Sequence, residues 1–107
     1  MVWHEIQRRL LDQGRDGARM QEGEIAALDA DVDELVSAIR QCPNFRQASP
    51  LLTELGELQT LLATLAFKYR VPLSPKQRRL VRQFDRWDDP DLRAAVFAAV
   101  KKDRFPW

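Results

Sequence analysis

Two long apolar seams at helical spacing constrain this chain more than any other feature. Ile25, Leu28, Val32, Leu35 and Ile39 step by 3, 4, 3 and 4, and Leu51, Leu55, Leu58, Leu62, Leu65 and Tyr69 step by 4, 3, 4, 3 and 4. Alternating steps of three and four keep side chains on one stripe of an α-helix, so each segment must lay that stripe against a neighbour along its length. Leu52, Leu61, Ala63, Ala66 and Phe67 widen the second stripe, and Glu54 and Glu57 are the only charges between Ser49 and Phe67. A helix apolar around most of its circumference belongs at the centre of a bundle. No Asn-Gly or Asp-Gly pair sits between alternating apolar runs, so no sheet is expected.

Punctuation divides the rest of the chain. Val2, Trp3, Ile6, Leu10 and Leu11 form a short amphipathic helix that ends towards Gly14 and Gly17. The second helix stops before Pro43, because a residue preceding proline is pushed out of the helical region. Ser49 with Pro50, Ser74 with Pro75, and Asp89 with Pro90 each pair a cap residue with a proline at the first helical position. The expected helices cover about residues 2–13, 22–41, 50–70, 75–87 and 90–102. They predict one all-α domain, a compact bundle of four to five helices over residues 1–107 built on a central antiparallel hairpin of the second and third. With 107 residues, 45% of them hydrophobic, the chain has one modest core and little room for a TIM barrel or a paired dinucleotide-binding fold.

Charge is segregated along the chain although the net charge is only +1. Residues 1–67 hold six basic and eleven acidic side chains, net −5, and residues 68–107 hold eleven basic and five acidic, net +6. From Glu22 to Ile39 there are six acids and no base, whereas Lys68 to Arg86 holds seven bases and one acid, Asp85. Arg78, Arg79, Arg82 and Arg86 project from the fourth helix, away from a stripe of Leu80, Phe84 and Trp87.

The residues that carry most chemistries are missing. His4 is the only histidine and Cys42 the only cysteine, so a histidine-rich metal centre or an internal disulfide cannot form within one chain. Asp29, Asp31 and Asp33 copy the first three ligand positions of a calcium-binding loop, but the positions that need glycine and glutamate hold Glu34 and Arg40. Gly14, Gly17 and Gly23 fit neither phosphate-loop nor dinucleotide spacing and are expected in turns. Carboxylates on solvated helix faces lack the pocket that general acid–base catalysis needs. The expectation is a non-enzyme without metal or cofactor.

The residues around His4 carry charges, so the start of the chain lacks the apolar run of a signal peptide, and the longest apolar stretch is too short for a membrane span. A cytoplasmic protein is expected, with no membrane partner. The composition predicts a helical protein-interaction module, such as an adaptor, a regulatory subunit or a small inhibitor. Its binding residues would be Asp29, Asp31, Asp33 and Glu34, meeting another protein or a second copy of the chain. Like charges one helical turn apart repel, and a protein contact would offset that repulsion. The alternative is nucleic-acid binding, with Arg78, Arg79, Arg82 and Arg86 contacting phosphates. A third arrangement sets the arginine face against the acidic helix within the chain.

Overall fold

The computed structural model describes residues 1–82 and 88–102. Among these are five α-helices and no strand: α1 (Val2–Gln13), α2 (Glu24–Gln41), α3 (Phe45–Ala63), α4 (Pro75–Val81) and α5 (Pro90–Lys101). A 3-10 turn, Gly14–Ala18, follows α1, and a π-helical turn, Thr64–Lys68, continues α3. The expected all-α bundle is therefore the observed architecture.

The centre is α3, which packs against each of the other four helices. Leu55, Leu58, Leu62 and Leu65 of its seam are fully buried, and so are Leu28, Val32 and Ile39 of α2. Trp3 and Ile6 close the core from α1, Leu80 from α4, and Val96 and Val100 from α5. The connection between α2 and α3 is residues 42–44, short enough to force the two helices into an antiparallel hairpin.

The start of α3 differs from expectation. The cap is Asn44, whose side chain accepts the Gln47 N–H at 2.9 Å, and not Ser49. Pro50 consequently lies inside the helix, where it offers no N–H to the Arg46 carbonyl. Burial offsets that loss. Starting at Phe45 buries Ala48 completely and sets the Phe45 ring edge-on to Phe97, with centroids 5.9 Å apart.

The other two caps form where the sequence placed them. Ser74 makes a capping box with Gln77, and the Asp89 side chain accepts the Asp91 N–H at 2.9 Å. Phe84, Arg86 and Trp87, expected on the fourth helix, fall outside the described residues.

Candidate functional site

The acids of α2 hold the bundle together. Asp31 is 6% exposed, and its Oδ2 accepts the backbone N–H of Trp3 at 2.8 Å. Met1 supplies no side-chain cap to α1, so a carboxylate from another helix takes that role and faces the positive end of the α1 dipole. Asp29 Oδ1 accepts a hydrogen bond from Ser74 Oγ at 2.9 Å, which ties α2 to the cap of α4. Asp33, one turn further along α2, pairs with Lys76 in the first turn of α4. Glu34 is exposed. Three of the four acids proposed for partner binding are thus engaged within the chain, by a backbone N–H, a serine and a lysine rather than by the arginines of α4.

A second polar cluster was not foreseen from the sequence. The Arg9 guanidinium grips both oxygens of Glu24 at 2.9 Å, and its Nε donates to the Gly17 carbonyl at 2.8 Å. Glu24 also accepts the Gln21 N–H at 2.6 Å. The Arg9 hydrogen bond lowers the Glu24 pKa against the opposing effect of burial, and the Glu24 hydrogen bond raises that of Arg9. Gly17 is required here: a Cβ on it would lie 2.3 Å from the Arg9 carbonyl oxygen. The only signal in the sequence was the glycine itself, since Arg9 and Glu24 stand 15 residues apart. This cluster is a bidentate ion pair closing the α1–α2 connection, with its donors and acceptors already satisfied.

His4 and Cys42 each have local partners. The exposed His4 ring lies on Trp3 with centroids 4.0 Å apart, and its Nε2 is 3.4 Å from Glu54. Cys42 Sγ is 3.4 Å from the Ala38 carbonyl oxygen. Among the described residues no group of three His, Cys, Asp or Glu side chains is placed to hold a metal, and no helix is long and apolar enough to cross a membrane.

Two further clefts border the π-turn. Tyr69 N–H bonds to the Thr64 carbonyl at 3.3 Å and Val71 N–H to that of Leu65 at 2.9 Å, while Arg70 adopts the left-handed conformation at φ 57°. This closure resembles the usual left-handed helix terminus widened by one residue. Phe67 stands on the turn 76% exposed, although Leu65 two residues earlier is fully buried. One open cleft, of about 190 Å³, is lined by Ala66, Phe67, Leu73, Val81, Arg78 and Arg82. Another lies between the turn and α1, where Leu11 is 82% exposed beside Thr60, Thr64, Lys68 and Tyr69. Arg78, Arg79 and Arg82 are all exposed, and Arg86 lies outside the described residues.

Neither a curated protein nor a solved structure matches this chain. A family model does, described as Immunity protein CdiI-like, and it covers residues 1–102, from the start of α1 past the end of α5. The chain belongs to the CdiI-like immunity protein family.

Proposed function

We propose that this protein is a non-catalytic inhibitor that neutralises a toxin protein by binding it. The observation that carries this reading is the family match, which spans all five helices rather than one motif. Of the adaptor, regulatory-subunit and inhibitor roles compatible with a small helical module, membership in an immunity family favours the inhibitor. The surface is consistent with that role. Phe67 and Leu11 are large apolar side chains exposed beside two separate clefts that border the π-turn, each a candidate contact for a protein partner.

Direct nucleic-acid binding is a weaker reading. Among the described residues, Arg78 of α4 and Arg82 at its C-cap flank an apolar cleft instead of forming an uninterrupted basic face. The inhibitor reading is tested by growth rescue. The protein that the immobilised chain retains from extracts of its source cells is identified, and its toxicity is measured in a host with and without the chain. Restored growth together with a stoichiometric complex in light scattering is the expected result. A retained protein that is harmless, or one that stops growth even when fully complexed, overturns it.

A further inference from the structure

We propose that the cleft between the π-turn and α4 is the docking surface for the partner protein, and that it takes an acidic segment carrying an apolar anchor side chain. The proposal rests on the inhibitor reading for the identity of the partner, and on the following geometry for the chemistry of its segment.

Of the six lining residues, Ala66, Phe67, Leu73 and Val81 are apolar, and the two charged ones, Arg78 and Arg82, are both basic. Leu73 and Val81 are each 7% exposed and belong to the core, while Phe67 is 76% exposed beside them. An apolar side chain inserted there would meet a ready-made pocket with an aromatic wall, the kind of anchor that dominates protein interfaces. The wall is positioned in advance. The Val71 hydrogen bond to Leu65 and the left-handed Arg70 hold the turn without any partner, which reduces the ordering that binding requires.

Charge selects the occupant. Lys68 and Arg70 are also basic and exposed, but Lys68 lines the neighbouring cleft against α1, so the positive rim of this cleft is made by Arg78 and Arg82. On α4 Lys76 is already paired with Asp33, but among the described residues none of Arg78, Arg79 and Arg82 lies within ion-pair distance of a carboxylate. These arginines remain available to carboxylates brought by another molecule, and they would bind them in the planar, bidentate manner guanidinium favours. In a second copy of this chain Asp29, Asp31 and Asp33 are already occupied in holding α1 and α4, which favours a segment of a different protein, and self-association through other exposed acids is separated by the test. Nucleic acid offers phosphates but no aliphatic anchor for the pocket.

The test uses the full chain and two probes. The first is a set of short fluorescent peptides presenting one leucine or tryptophan between acidic, neutral or basic flanks. The second is the toxin identified by growth rescue. Phe67→Ala, Arg78→Glu and Arg82→Glu are surface changes whose folding is checked by circular dichroism, with Arg8→Glu, exposed on α1 and outside the cleft lining, as the control. The acid-flanked peptides should bind at least about tenfold tighter than the basic-flanked ones, and each of the three variants should weaken both probes about tenfold or more. Arg8→Glu should bind as the unmodified chain does. Equal binding of acidic and basic peptides, or no peptide binding by the unmodified chain, overturns the proposal. So does self-association that disappears with Phe67→Ala, or binding of a duplex oligonucleotide that depends on the arginines and not on Phe67. If all three variants still rescue growth at the unmodified dose, the surface is wrong while the inhibitor reading stands. If the unmodified chain fails to rescue, the inhibitor reading falls, and the peptide series still decides the chemistry of the cleft.

Discussion

Replacing Asp31 with alanine isolates the contribution of the acidic helix to the fold. The carboxylate is buried and accepts the Trp3 N–H, the second residue of α1, where a local cap would ordinarily bond. Loss of such a cap costs about 0.5 to 2 kcal/mol, and a negative charge at a helix N-terminus adds about 0.3 to 1 kcal/mol. The Trp3 N–H would then be left in a residue that is 1% exposed, with no side-chain cap from Met1 to replace the bond. An orphaned buried donor falls in a similar range, about 1 to 3 kcal/mol, and largely restates the lost cap rather than adding to it. The expected destabilisation is therefore about 2 kcal/mol, or about 8 to 16 °C in Tm for a domain of this size. Asp31→Asn keeps an oxygen acceptor and loses the charge, so about half that effect is expected. Glu34→Ala, on the exposed side, should stay within about 0.5 kcal/mol of the unmodified chain. Urea unfolding followed by far-ultraviolet circular dichroism gives the three values, and amide exchange at Trp3 should accelerate most in Asp31→Ala, less in Asp31→Asn and not in Glu34→Ala. If Asp31→Ala unfolds at the same urea concentration as the unmodified chain, or if Glu34→Ala is equally harmful, the carboxylate does not cap α1 and the reasoning fails.

Truncating Leu58 to alanine removes a fully buried side chain from the helix that touches all the others, and urea unfolding should show a loss of about 2 to 5 kcal/mol. Gly17→Ala drives a Cβ to 2.3 Å from the Arg9 carbonyl oxygen and 2.6 Å from its carbon, both backbone atoms, so α1 must shift. A loss of about 1 to 3 kcal/mol is expected in thermal unfolding, and an unchanged Tm would disprove the close approach. The Arg9–Glu24 pair sets an acid limb. Because the folded Glu24 pKa is lowered, its stabilisation is fully present above the unfolded carboxylate value of about 4.3 and is lost as pH falls through the folded value. Stability measured against pH should therefore fall less steeply below about pH 4 in Glu24→Gln than in the unmodified chain, from a lower plateau at neutral pH.

Where sequence and structure agree, the information is local. The seams of α2 and α3 and the caps at Ser74 and Asp89 depend on residues within one or two turns of each other, so spacing and residue type alone predict them. The start of α3 was not decided locally, because Asn44 and Ser49 are both good caps. The burial of Ala48 and the packing of Phe45 on Phe97, a residue of α5, select the earlier one.

The partners of the charges were beyond the reach of the sequence for the same reason. Segregation of acids and bases is plain in the chain, but Asp31 meets the Trp3 N–H across 28 residues and Asp29 meets Ser74 across 45. Those pairings exist only once hydrophobic burial has set the helices side by side. Phe67 illustrates the point from the apolar side. By composition it belonged with the central helix, yet the widened turn after Ala63 leaves it exposed on a basic rim. Periodicity determines which face of a helix is apolar, but the crossing and termination of the packed helices decide which apolar residues stay outside the core.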